Sequence, residues 1–350
     1  MEVIVFDWGD TLMRVFPQLS GPMVDWPEVQ VISGVKEALE VLSSDYQLFV
    51  ATGAKESNAD QVKCALARVG LDGFFHGIFT HFEVGLQKSA EGFFRKIDQM
   101  INHPSPLIFV GDDYEVDINH TVRCGWRSVW FNPLGSPCVG LMPLHSIEIQ
   151  SMRELPPLLK ERALPDVNLA ISWMIDQGAN TNLLLHSLAV ASVSYYLSLL
   201  LKNSGVSTNP ILSHRGGLLH DIAKLTRRDP NELEIDHAEM GSRILIEKEQ
   251  PELADITRSH LISSLFDEER KPATWEQKIV HYADKIVEGS NVVMLEERIQ
   301  AICKRYPHHA ERILGSVSGV KQLQSEICDV LGMSADLLKN KISQALLGMQ

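Results

Sequence analysis

A chain of 350 residues with 45% apolar and 22% charged side chains is too long for one ordinary core and too apolar to stay unfolded. That leaves two globular domains and excludes collagenous, disordered and disulfide-stapled classes. Its formal charge of −13 works against wholesale capture of nucleic acid, which needs Lys and Arg to displace counterions, so RNA is a partner the charge does not favour. An acidic Glu2 precedes the first apolar run, VIVF, where a secretory leader would be basic, and the apolar runs stop short of a bilayer span. A cytoplasmic protein with no membrane partner is expected.

Along the chain, VIVFDW at 3–8, LFVAT at 48–52, GIFT at 77–80, LIFVGD at 107–112 and SVWFN at 128–132 read as strands. The stretches between them are long enough for crossover helices, which require parallel pairing and a sheet covered on both faces. After a Pro/Gly-rich loop at 133–143, HSIEIQSMRELPPLLKE reads as a closing strand and helix. From about residue 165 the strand signal vanishes, and NLLLHSLAVASVSYYLSLLLKN and ADITRSHLISSLFDEE carry helical spacing. The expected organisation is an α/β Rossmann-like domain over 1–162 and an all-α domain over 167–350, divided at ALPDV. The last two amphipathic stretches, with Ser334 as a cap, are expected to cover the helical core, a homodimer seam being the alternative. Cys64, Cys124, Cys138, Cys303 and Cys328 are scattered without CxxC spacing and read as free thiols.

In the first half the chemistry sits at strand ends, where a rigid backbone presents a side chain to solvent. Asp7 ends the first strand in FDWGDTL, Thr52 the second, Lys88 follows the third in GLQKS, and Asp112, Asp113 and Asp117 follow the fourth in VGDDYEVD. This ordered set resembles the haloacid dehalogenase superfamily. The resemblance implies Asp7 as nucleophile and Mg²⁺ ligand, with the Gly9 carbonyl and Asp112 completing the protein ligands. It also implies Thr52 binding the phosphoryl group, Lys88 offsetting charge, and Asp117 or Asp113 orienting Lys88 or a metal-bound water. The stretch Asp7-Trp8-Gly9-Asp10-Thr11 departs from that superfamily's phosphatase pattern, because Gly9 stands where a second Asp usually serves as acid and base. Asp10 is the neighbouring substitute. The short gaps between motifs imply an uncapped site.

The second half holds His186 in HSLAVA, His220-Asp221 in RGGLLHDIAKL, His237 in DHAEMGSRIL, His260 in RSHLIS and Asp284 in HYADKIVEG. His214, His281, His308 and His309 read as ordinary core or surface residues. Imidazoles bind borderline divalent metals and a carboxylate can bridge two of them. The set resembles the HD superfamily of metal-dependent phosphohydrolases. The resemblance implies a first metal on His186, His220, Asp221 and Asp284, and a second on Asp221, His237 and His260. Divalent transition metals such as Fe²⁺, Mn²⁺ or Co²⁺ suit both. Lys224, one helical turn past Asp221, is expected at the substrate phosphate, with Arg215 and His214 weaker candidates for the same task. Together the two resemblances imply a two-site phosphohydrolase whose partner is a phosphorylated small molecule, a nucleotide or dinucleotide. The rival readings are a first half that only senses phosphate or caps the second, and a protein that binds RNA ends.

Overall fold

The structure, a computed structural model, describes residues 1–90, 92–226 and 235–348. It divides into two compact units, Met1–Leu134 with Leu144–Arg162, and Gly135–Pro143 with Ala163–Gln350. Residues 135–143, expected in the first domain, therefore pack with the second.

In unit 1, runs of Val, Ile and Phe form β1 (Glu2–Phe6), β2 (Tyr46–Ala51), β3 (Phe75–Phe79), β4 (Ile108–Gly111), β5 (Arg127–Phe131) and β6 (Ile147–Ile149). All pair in parallel, in the order β3-β2-β1-β4-β5-β6. The crossovers hold α1 (Val35–Leu42), α2 (Ala59–Ala67), α3 (His81–Val84), α4 (Gly92–Ile101) and α5 (Asn119–Arg123), and α6 (Leu155–Lys160) follows β6. The period of two along β1 sends Ile4 and Phe6 to a core with Leu39, Leu42 and Leu66, and Val3 and Val5 to one with Phe94, Ile97 and Phe109. Both faces are thus covered. The strand order reverses at β1, so a crevice opens where the carboxyl ends of β1 and β4 diverge from their connections. Between β1 and α1 the chain carries one 3₁₀ turn, Met23–Asp25, and no multi-helix lid.

Unit 2 is built from α7 (Val167–Asp176), α8 (Thr181–Asn203), α9 (Pro210–Leu219), α10 (His237–Glu247), α11 (Pro251–Ser259), α12 (Trp275–Asp284), α13 (Leu295–Arg305), α14 (Ala310–Leu331) and α15 (Ala335–Leu346). Asn180, Asn209, Asp236, Thr274 and Ser334 cap helix starts by accepting backbone amides. The central α8 is long and apolar enough to cross a membrane, contrary to the reading of short apolar runs, but 72% of its most apolar stretch is buried in the unit. A Cβ at Gly217 would stand 2.8 Å from the Ala191 Cα, so glycine permits the close approach of α9 to α8. Leu323, Ile327, Leu338 and Ile342 of α14 and α15 share a cluster with Val190, Val193 and Leu197 of α8 and cover that core. Among its described residues the unit departs from all-α in one place, an antiparallel ribbon of β7 (Val287–Glu288) and β8 (Asn291–Val292).

Candidate functional site

In unit 1, the residues after β1 and β2 are each tied to a neighbouring strand: the Asp7 amide donates to Val110 O at 2.8 Å, and the Thr52 amide to Phe79 O at 2.9 Å. Asp112 follows β4, and its Oδ1 accepts the Thr11 hydroxyl at 2.9 Å. Lys88, from the loop after α3, sends a buried ammonium to Asp7 and, at 2.6 Å, to Asp117. Burial pushes this ammonium down, but Asp117 and Asp7 outweigh it and hold the group well above its ordinary value. Carboxylate oxygens of Asp7, Asp112 and Asp117 lie within 4.8 Å of one another. Burial, then the charge of Asp7, lifts Asp112 to about 6, and burial lifts Asp117 to about 8 against the pull of Lys88. Three crowded carboxylates facing one ammonium fit a hard divalent cation, and oxygen ligands suit Mg²⁺. Because Asp112 must be ionised to ligate, Mg²⁺ affinity should fall by up to about tenfold per unit as pH drops below about 6, read by calorimetric titration.

Of Asp117 and Asp113, Asp117 is the one that meets Lys88. Asp113 instead caps the turn Tyr114–Ile118, accepting the Glu115 and Val116 amides, both at 2.9 Å. Asp117 reaches Lys88 only because residue 111 has no side chain: a Cβ there would stand 2.2 Å from Asp117 Oδ2 and 2.8 Å from Phe109 Cε1. Gly111→Ala should therefore destabilise unit 1 by about 3 kcal/mol, measured by urea unfolding, since it overpacks a buried ion pair. Asp7, Gly9, Thr52, Lys88 and Asp112 all line one cavity of about 790 Å³, walled on one side by Val15, Met23 and Trp26. That wall is fixed by Arg68, whose guanidinium donates to Trp26 O at 2.6 Å and Val24 O at 3.0 Å.

The unit 2 residues gather from helix ends rather than from helix interiors. His186 lies in the second turn of α8, His220-Asp221 just past α9, His237 at the start of α10, His260 just past α11, and Asp284 at the end of α12. Three helix C-termini, those of α9, α11 and α12, thus meet at the site, and their partial negative charge favours cations. One set, His186, His220 and Asp284, and a second, Asp221, His237 and His260, each bring ligand atoms within 4.8 Å of one another. His220 Nε2 is 3.3 Å from Asp221 Oδ2 and 3.7 Å from Asp284 Oδ1, so the sets adjoin.

Second partners fix the imidazoles. The Nδ1 atoms of His186, His220 and His260 face the carbonyls of Gly289 (3.0 Å), Gly217 (2.7 Å) and Thr257 (2.6 Å), which can only accept. Each ring therefore carries a proton on Nδ1 and turns its Nε2 inward. His220 Nε2 and Asp221 Oδ1 are buried without a hydrogen bond, and His237 Nε2 and His260 Nε2 stand 3.2 Å apart beside Asp221. Converging imidazole nitrogens and carboxylates of this kind fit divalent transition metals. Burial pushes His220 down, but Asp221 and Asp284 raise it to about 9; burial pushes Asp221 up, but the His220 imidazolium and Lys224 hold it well below the usual carboxylate range; burial takes His260 down to about 4 despite Asp221.

Lys224 reaches the cage, its ammonium 2.5 Å from Asp221 Oδ2. Arg215 does not serve as expected: it is buried, and donates to Pro165 O at 2.8 Å and Pro143 O at 3.2 Å, holding chain segments instead of substrate. His214 is buried beside it, with Nε2 3.2 Å from Met142 Sδ. Sequence reasoning missed two residues. Lys285 is buried and donates to Asp284 Oδ2 at 2.5 Å and His260 O at 2.9 Å. Arg298 donates to Asp284 Oδ1 and O, both at 3.2 Å, and to Glu288 at 2.5 Å. A signal existed for Arg298, which shares the apolar stripe of α13 with Leu295 and Ile299.

The chain matches two families: haloacid dehalogenase-like hydrolase over residues 9–119 and HD domain over residues 183–288. An uncharacterised protein of Methanocaldococcus jannaschii is 33% identical over 135 residues, covering 35% of this chain and 77% of that one. A HAD-hydrolase of Bacillus subtilis bound to magnesium is similar in structure, with 18% identity, a TM-score of 0.38, and coverage of 46% of this chain and 99% of that one. A 2-haloacid dehalogenase of Pseudomonas syringae has 19% identity, a TM-score of 0.37, and coverage of 45% and 98%.

Proposed function

We propose, for a chain that belongs to the haloacid dehalogenase-like hydrolases in its first part and to the HD-domain proteins in its second, and is thus a phosphohydrolase, that both parts carry a working site. The substrate class is phosphate esters or anhydrides of nucleotides or dinucleotides. The observation that carries the reading is the cage in unit 2, where six residues bring ligand atoms together in two adjoining sets. His186, His220, Asp221 and Asp284 would hold one divalent transition metal, and Asp221, His237 and His260 a second. Such metals supply an acidified water and polarise a phosphoryl oxygen. The chain's own contribution is to fix ring tautomers through the carbonyls, to hold Asp284 through Lys285 and Arg298, and to set the Lys224 ammonium where a substrate phosphate would meet it.

In unit 1, Asp7, the Gly9 carbonyl and Asp112 would hold Mg²⁺, which supplies charge to offset phosphate. Asp7 then attacks phosphorus, Thr52 binds a phosphoryl oxygen, and Lys88, steered by Asp117, neutralises the developing charge. Phosphate release from nucleotides, dinucleoside polyphosphates and simple monoesters, with Mg²⁺, Mn²⁺, Fe²⁺ or Co²⁺, tests the assignment in wild type, Asp7→Asn and Asp221→Ala. Each variant should abolish a different activity. Loss confined to Asp221→Ala would leave unit 2 as the enzyme and unit 1 as its phosphate-sensing companion.

A further inference from the structure

An attacking carboxylate leaves two proton transfers to be done: one to the departing oxygen, and one from the water that later cleaves the acyl phosphate. Among the described residues, the ionisable groups lining the unit 1 cavity are Asp7, Asp10, Lys55, Glu56, Lys88, Asp112, Asp113 and Asp117. Most are already engaged. Lys88 binds Asp7 and Asp117, Asp112 accepts from Thr11, and Asp113 caps a turn through two amides. Asp10, next to the vacant acid position, sits in the left-handed region at φ 51° and its carboxylate accepts the Val15 amide at 3.1 Å, inside its own turn. Nor is there room for an acid at residue 9: a Cβ on Gly9 would stand 2.9 Å from Val15 Cγ2, so a β-branched methyl fills the space a side chain would cross. Lys55 and Glu56 remain, both exposed on the loop after β2.

Resting on the reading of Asp7 as nucleophile, we propose that unit 1 takes phosphoryl groups from donors with weakly basic leaving groups and keeps them on Asp7 as a persistent aspartyl phosphate. The donor classes are acyl phosphates, aryl phosphates and phosphoanhydrides. In the step, an Asp7 carboxylate oxygen bonds to phosphorus as the bond from phosphorus to the leaving oxygen breaks. The electron pair departs with that oxygen as carboxylate, phenolate or phosphate, and no proton is required. Alkyl monoesters are refused, because their alkoxide must be protonated as it leaves. Water attack on the aspartyl phosphate is slow, because among the described lining residues only the exposed Glu56 is left to act as a base.

The test uses the full chain with Mg²⁺ and acetyl phosphate, p-nitrophenyl phosphate or glycerol 3-phosphate, read by intact mass. The first two donors should add one phosphoryl group per chain, labile to hydroxylamine and absent in Asp7→Asn; glycerol 3-phosphate should add none, and Asp7→Asn should leave its turnover unchanged. The triple variant Gly9→Asp, Asp10→Gly, Val15→Ala supplies an acid with space to reach the cavity. It should shorten the adduct lifetime by roughly a hundredfold and admit glycerol 3-phosphate. Rapid turnover of glycerol 3-phosphate that persists in Asp221→Ala and is lost in Asp7→Asn would overturn the proposal, and Glu56→Gln would then show whether Glu56 is the acid. An adduct on Asp7 that discharges as fast as it forms overturns the persistence and leaves the nucleophile standing. No adduct from any donor, with Asp7→Asn unchanged in every activity, overturns the nucleophile itself.

Discussion

Lys88→Met is expected to cost unit 1 about 3–5 kcal/mol at pH 9.5, because it leaves the buried carboxyl groups of Asp7 and Asp117 facing each other without a cation. The loss is pH-dependent with a definite sign. Asp117 is lifted to about 8 in the fold, above its ordinary value, and without Lys88 it would rise further. A carboxyl group with a raised folded-state pKa takes up a proton on folding, and the penalty grows with pH up to that pKa, so wild type and variant share it below about 8 and part company only above, where wild type can ionise Asp117 beside Lys88. Urea unfolding of variant and wild type at pH 9.5 and pH 7 should therefore show a large deficit at the first and a smaller one at the second. An equal deficit at both would mean that packing of the lysine stem, not its charge, holds the site. Phosphoryl transfer to Asp7 should fall at least about a hundredfold at either pH, since the charge that offsets the transition state is gone.

Unit 2 inverts this arrangement, with one carboxylate, Asp284, held by two buried cations, Lys285 and Arg298. Lys285→Met should cost about 3–5 kcal/mol, since it strips a hydrogen-bonded charge from Asp284 and a donor from the His260 carbonyl. Its effect on metal binding should be wider than its contacts suggest. Asp284 belongs to one ligand set and His260 to the other, so one ammonium braces both. Cobalt titration followed by visible absorption should show both metals bound more weakly, by about 10–100-fold, as is typical when a ligand loses its outer support. Arg298→Lys keeps the charge but not the fork that reaches Asp284 and Glu288 together, and should weaken only the first set. Two metals at wild-type affinity in Lys285→Met would remove it from the site's design.

The strands were legible because a parallel sheet covered on both faces demands near-continuous apolar runs, and VIVF, LFVA and LIFVG supply them. Strand-end Asp7, Thr52 and Asp112 were legible only as an ordered set across several strands, since a single carboxylate or hydroxyl closing such a run is usually a cap or turn residue. What escaped depended on contacts across sequence. Asp113 and Asp117 are both carboxylates on one turn, and only the backbone decides that the first accepts amides while the second meets Lys88. Arg215 beside a metal motif looked like a phosphate ligand, whereas its partners are two proline carbonyls distant in sequence. Lys285 sits in ADKIV among apolar neighbours, and a charge buried there carries information only once its acceptors are known.

The excursion of 135–143 into unit 2 bears on how the two units can be inherited. The chain passes from unit 1 to unit 2 at 134, returns at 143 and leaves for good at 162, so no single cut separates them. A gene split after codon 162 would give a downstream product without the Met142 thioether beside His214 and the Pro143 carbonyl that Arg215 holds. Supplying the upstream product in the same cell would not repair this, because the missing segment stays covalently part of that product. The two units can therefore be lost, duplicated or transferred together far more easily than either can be shed alone.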